Sequence, residues 1–352
     1  MSKQTFDDVK DYYGQVLKTK EDLKTSACCP ADAPPAYLRP YIKNIHETVL
    51  TKFYGCGTPV PESIEGCTVL DLGCGTGRDV YIHSQIVGET GKVIGLDMTE
   101  EQLSVANQYI GWHMDKFEYK EPNVEFKQGY IEDLKTAGIA DNSIDIVISN
   151  CVINLSPNKD KVFSEIARVL KPGGELYFSD VFCNRRISED LQRDKILLGE
   201  CLGGAMYTED FRRMMAKIGI ADTRVISKTP LELHDPDVVA KIGMIDFYSI
   251  TVRAFKVDLE DICENYGHVA YYKGTITDHP HSFTLDDHHE FKTGMPVPVC
   301  GNTANMLGQT RFKDHFRIDG DFSTHFGVFD CGPNSTNGTN NLNETVGSSA
   351  CC

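Results

Sequence analysis

The 352-residue sequence has no apolar run near the roughly 20 residues a membrane helix requires, and residues 1–20 alternate charged with apolar side chains where a secretory leader would be apolar. A soluble, cytoplasmic protein is expected. Basic residues are also scarce: 35 Lys plus Arg face 51 Asp plus Glu, a formal charge of −16 with no basic run to offset it. Nucleic-acid binding, which depends on cations neutralising phosphates, is therefore not expected. Cys-x-x-Cys spacing is missing despite 13 cysteines, so a structural zinc site is not indicated. An odd cysteine count in a long chain without a leader argues for reduced thiols instead of a disulfide framework.

What is present is ordered alternation. Short β-branched or apolar runs at residues 69–71, 93–97, 124–126, 144–148 and 175–178 are separated by helical periodicity over 78–87, 100–117 and 159–170. That order predicts an α/β fold, a Rossmann-like doubly wound sheet of five strands. Thr99 with Gln102 three residues on reads as a helix start with a capping box, and Lys171-Pro172-Gly173-Gly174 as a helix end. Added helical segments are expected in residues 7–65 and around 191–198 and 209–218, with a further strand over 247–255. Residues 271–329, rich in Gly, Pro, Thr and aromatics, read as a small C-terminal α+β domain.

The expected domains are 1–65, helical with a cysteine loop; 66–185, the sheet domain; 186–260, a substrate segment; 261–332, the C-terminal domain; and 333–352, a tail. The tail is Asn, Ser, Thr and Gly, too polar to order itself. Its acceptor sites at Asn334, Asn337 and Asn343 matter only on a secretory route.

The most informative string runs from Val69 through Asp71 and Leu72 to Gly73-Cys74-Gly75-Thr76-Gly77, a strand entering a glycine-rich turn and then a helix. Residues without Cβ let backbone approach a ligand there. A dinucleotide fingerprint needs a third glycine where this chain has Arg78, so pyrophosphate binding is disfavoured. The pattern Asp71-x-Gly73-x-Gly75-x-Gly77 closely resembles that of class I methyltransferases. Twenty residues past Gly77 the second strand ends in Asp97, where a carboxylate can accept both ribose hydroxyls. The resemblance implies S-adenosylmethionine as cofactor, with contacts from Met98, Ile131 and Asn150 as well. It also implies an acidic residue at the adenine, either Glu132 or Asp133, and each would serve equally as an acid at a helix N-terminus.

Cys151 follows the fourth expected strand at its carboxyl end, where open α/β sheets bind ligands. Cys56 lies in Tyr54-Gly55-Cys56-Gly57 and Cys201 in Gly199-Glu200-Cys201-Leu202-Gly203-Gly204. Glycine on both sides suggests thiols on exposed turns, not packed faces. With these segments, Tyr12 to Leu17, Ser149 to Leu155 and Gly173 to Asp180, the chain resembles the arsenite methyltransferases over about residues 9–256, and more weakly from Gly274 toward Phe316.

That resemblance implies arsenic(III) bound at Cys56, Cys151 and Cys201, and a further catalytic thiol at Cys28 or Cys29. Cys67 also matches a family position. Thiolates are the ligands that select soft centres. Three sulfurs leave arsenic one lone pair, and that lone pair is the nucleophile. Either route open to such an enzyme, a disulfide relay or arsenic kept trivalent throughout, needs reduced thiols and hence a thioredoxin or glutathione partner. The alternatives are a methyltransferase for a small organic substrate and a non-catalytic thiol module that sequesters soft metals. His279, His281, His288 and His289 with neighbouring acids fit no ligand scheme and are expected on a solvated loop.

Overall fold

The structure, a computed structural model, describes residues 35–52 and 57–330. Its centre is an eight-stranded sheet. The strands are β1 (Thr68–Leu72), β2 (Lys92–Asp97), β3 (Val124–Gln128), β4 (Ile144–Asn150), β5 (Leu170–Cys183), β6 (Met206–Tyr207), β7 (Thr223–Pro230) and β8 (Phe247–Phe255). Their order is β3-β2-β1-β4-β5-β8-β7, with β6 beside β5. The first five strands are mutually parallel, as expected, while β8 runs antiparallel to both β5 and β7. The order reverses at β1, so the crevice outside β1 and β4 is where such a sheet takes ligands.

Apolar residues on both faces of β1 and β4 explain why helices cover both sides. Helices Lys159–Val169 and Thr208–Lys217 pack Phe163, Ile166 and Phe211 on one face, against Leu72, Val147 and Phe178. Helix Arg78–Val87 packs Val80, Tyr81 and Val87 on the other, with Val69 and Ile148. The helix expected over 100–117 is two, Glu100–Gln108 and Ile110–Phe117, broken at Tyr109 where ψ is 8°. The capping box does not form. Thr99 makes no side-chain cap, and its N–H instead donates to Asp97 Oδ1 at 2.8 Å. The preceding helix stops at Val169, just before Lys171-Pro172-Gly173-Gly174 as expected, and β5 begins directly at Leu170, so Pro172 and Gly173 lie inside that strand.

The C-terminal part holds a three-stranded sheet of β9 (His268–Tyr272), β12 (Pro296–Val299) and β13 (Phe316–Asp319), a hairpin of β10 (Ser282–Thr284) and β11 (Glu290–Lys292), and helix Gly301–Gly308. Two buried ion-pair networks fasten it to the main sheet. Arg253 on β8 donates to Glu175 at 2.6 Å, to Glu62 at 2.8 Å and to the carbonyl of Leu285 at 2.8 Å. Arg224 on β7 donates to Asp222 at 2.6 Å and to Asp286 at 3.0 Å, and Asp286 also pairs with His289 at 2.7 Å. Asp286 and His289 are thus part of a buried joint, a correction to the solvated loop expected from their spacing. No helix among the described residues is long and apolar enough to cross a membrane.

Candidate functional site

A cleft of about 1070 Å³, open to solvent, lies at the carboxyl ends of β1, β2 and β4. Asp71, Gly73, Gly75, Asp97 and Met98 line one wall, and Ile131, Glu132, Asn150 and Cys151 line the other. Gly77 stands at the N-cap of helix Arg78–Val87, behind the lining. The turn needs its glycines. Gly73 has φ +74° and a Cβ there would run into the Val152 side chain, while Gly77 has φ +87° and a Cβ would meet Phe126 at 2.8 Å. Asp97 fixes the turn by accepting the Gly75 N–H at 2.9 Å.

The cleft is acidic. Burial pushes the Asp71 carboxyl well above its usual range, and the charges of Asp79 and Asp97 push it further. Asp97 is raised too, chiefly by burial, with the N–H groups of Thr99 and Gly75 opposing. Glu132 receives the Ser156 hydroxyl on one oxygen, and its Oε2 is buried without a hydrogen-bond partner. Asp133 is engaged elsewhere, accepting the Thr136 N–H at 3.2 Å and hydroxyl at 2.8 Å, and is not part of the lining.

Cys151, just after β4, and Cys201 both occupy left-handed backbone, at φ 58° and 61°. Such backbone is unfavourable for residues with a Cβ and collects at functional sites. The Cys201 thiol donates to the Cys151 carbonyl at 3.2 Å, and the Cys151 N–H to the Ser179 carbonyl at 2.8 Å. Both side chains are buried, which for Cys201 goes against the expectation of an exposed glycine turn. The reason is close packing. The 199–204 turn sits in a core cluster with Val181 and Phe247, and a Cβ on Gly204 would collide with the carbonyl of Asn154.

The sulfurs of Cys151 and Cys201 and a carboxylate oxygen of Asp180 all lie within 4.8 Å of one another. Cys151 is in a disulfide, and the other cysteines among the described residues are free thiols. Cys56, Cys28 and Cys29 lie outside the described residues. What is described is the residue after Cys56. The Gly57 N–H donates to Asn150 Oδ1 at 3.1 Å, and Asn150 Nδ2 donates back to the Gly57 carbonyl at 2.8 Å and to Asp79 at 3.0 Å. Cys67 is away from the cleft, its thiol pushed up to about 11 by burial.

Sequence reasoning missed Asp180, Asp79 and Lys159. Asp180 is fully buried beside the two sulfurs, and burial pushes its carboxyl up to about 7 although the N–H groups of Val181 and Asn154 and the charge of Lys159 pull it down. The Lys159 ammonium donates to the carbonyls of Asn154 at 3.2 Å and Ser156 at 3.1 Å. A carboxylate inside the apolar run Leu176 to Phe182 was the available signal for Asp180.

Residues 63–219 match a methyltransferase domain, and residues 266–340 match the arsenite methyltransferase C-terminal domain. The chain is 50% identical to the arsenite methyltransferase of Aquipseudomonas alcaligenes, covering 92% of this chain and 94% of that protein. It is 46% identical to the mouse arsenite methyltransferase, over 88% of this chain and 82% of the other. A crystal structure of an arsenic(III) S-adenosylmethionine methyltransferase from Chlamydomonas reinhardtii superposes with a TM-score of 0.82 at 49% identity, covering 85% of this chain and all of that one.

Proposed function

The chain belongs to the arsenite methyltransferase family, and from that premise we propose that it moves methyl groups from S-adenosylmethionine to trivalent arsenic held on the thiolates of Cys56, Cys151 and Cys201, giving methylated arsenicals. The observation that carries the reading is the convergence of two strained, buried cysteines, Cys151 in the wall of an acidic cleft and Cys201 packed behind it. The cleft fits the methyl donor. Its close glycine approach at Gly73, its carboxylates at Asp71 and Asp97 and the unpartnered Oε2 of Glu132 suit a cationic nucleoside with hydroxyls and an amino group. Asp97 would take the ribose hydroxyls and Glu132 the adenine amino group, with Met98 and Ile131 against the base and Asp71 toward the charged end.

When bound, S-adenosylmethionine supplies a methyl group activated by a sulfonium charge. The residues contribute position. Arsenic, the substrate, is attacking through a lone pair that carries no proton, so no general base is assigned. Holding two reactants in register lowers such a barrier by several kcal/mol, roughly 7 or more in well-oriented cases. Asn150, itself the residue before Cys151, is suited to that task because it hydrogen-bonds both Gly57, the residue after Cys56, and the cleft acid Asp79.

A thiol reductant completes the reading. With Cys151 in a disulfide, arsenic gains its sulfur only after two electrons and two protons from an external dithiol, or from two molecules of glutathione, convert the bond to thiols. Cys28 or Cys29 would relay those electrons. The test is incubation of the purified full chain with arsenite and methyl-labelled S-adenosylmethionine, with and without thioredoxin and its reductase or glutathione. Labelled methylarsenicals are expected with reductant and at least about tenfold less without it, since the reaction needs thiolates. Absence of methylarsenicals in both arms rejects the reading.

A further inference from the structure

Arsenic(III) asks for three sulfurs, yet the third donor that the described residues bring to Cys151 and Cys201 is an oxygen, that of Asp180. We propose that the reduced site also binds a thiophilic divalent cation, zinc or cadmium, through Cys151, Cys201 and Asp180, and that such a cation excludes arsenic. The proposal rests on the reading above only for its claim of competition.

The donor set carries the inference. All three ligand atoms lie within 4.8 Å of one another, close enough that side-chain shifts of about 1 Å bring them onto one four-coordinate ion with bonds of about 2.0 to 2.3 Å. Asp180 is 0% exposed and already oriented, since its two oxygens accept the Asn154 N–H at 3.1 Å and the Val181 N–H at 2.8 Å. An ionised carboxylate has about four acceptor positions, so these bonds leave room for a metal. A carboxylate oxygen is an ordinary ligand for zinc and a poor one for a soft metalloid, so Asp180 separates the two occupants chemically.

Charge is consistent with this assignment. Two thiolates and a carboxylate around a divalent cation leave one negative charge, and the Lys159 ammonium interacts with Asp180 and Cys201. Loading displaces two thiol protons, and the proton of any Asp180 carboxyl still protonated, to solvent and involves no redox change. The fourth position falls to water.

The experiment uses the full chain, reduced and desalted without oxygen, with zinc chloride as the probe. Zinc is expected to bind one per chain, to stop arsenite methylation, and to be reversed by a chelator. Zinc X-ray absorption is expected to contain an oxygen contribution from Asp180 beside the sulfurs. Asp180→Asn is expected to weaken zinc binding at least about tenfold, because it takes a carboxylate ligand away from the ion. Equal zinc affinity in that variant overturns the proposal. So does a wild-type absorption spectrum with sulfur ligands alone, which decides the matter even if the variant fails to fold. A chain that binds zinc in this way but makes no methylarsenicals sinks the catalytic reading and leaves this one standing. A methylating chain without the mixed sulfur and oxygen site does the reverse.

Discussion

Cys201→Ser is expected to lower arsenite methylation at least about 100-fold while leaving S-adenosylmethionine affinity within about twofold, because a hydroxyl oxygen is a hard ligand offered to a soft centre. The Cys201 sulfur sits within 4.8 Å of that of Cys151 and does not line the cleft, so the substitution removes an arsenic ligand without touching Asp71, Asp97 or Glu132. Serine is close to isosteric and meets the same left-handed backbone at φ 61° that cysteine already tolerates. Folding is therefore expected to survive, checked by circular dichroism. The assay is product speciation at saturating methyl donor. A variant retaining a third of wild-type turnover would show that Cys201 is not a ligand, and would restore the alternative of an organic substrate.

Asp97→Ala is the complementary case. Its carboxylate holds the Gly75 N–H at 2.9 Å and the Thr99 N–H at 2.8 Å, and in the proposed complex it also receives the ribose hydroxyls. Hydrogen bonds to a charged group contribute about 1.5 to 3 kcal/mol each. Losing the ribose contacts and the support of the turn is expected to weaken S-adenosylmethionine binding by about 2 to 4 kcal/mol, roughly 30- to 1000-fold in Kd. Arsenic(III) binding should change less than about twofold, as Cys151 follows β4 and Cys201 lies on the 199–204 turn, neither on β2. Calorimetric titration with each ligand separately reads both numbers. Unchanged affinity for the methyl donor would mean the cleft holds something else.

The cofactor wall was legible in the sequence because its chemistry is local. A strand, three glycines and an acid at the end of the next strand are all set by neighbours in the chain, and β1, β2 and β4 fall where the apolar runs put them. The thiol wall was legible only as residue types. Nothing in the glycine-flanked turn around Cys201 announces that it folds inward, since that depends on its fit against Asn154, Val181 and Phe247. The left-handed backbone at Cys151 and Cys201 is likewise imposed by tertiary contacts, against the preference of each residue.

Two further misreadings share that cause. Thr99 and Gln102 have the spacing of a capping box, but the Asp97 carboxylate, placed by β2, reaches the Thr99 N–H instead. Asp286 and His289 look like loop residues until Arg224 arrives from 62 and 65 positions earlier in the chain to bury them. The antiparallel pairing of β8 with β5 and β7 escaped notice because pairing direction is a property of connections, not of composition.

The most direct test is arsenic X-ray absorption on the reduced full chain carrying one equivalent of arsenite. The account predicts three sulfur neighbours per arsenic and no oxygen, falling to two sulfurs in Cys201→Ser. A wild-type spectrum showing two or fewer sulfurs with oxygen completing the shell would contradict it, because the lone pair would then belong to an arsenic that the three cysteines do not jointly hold.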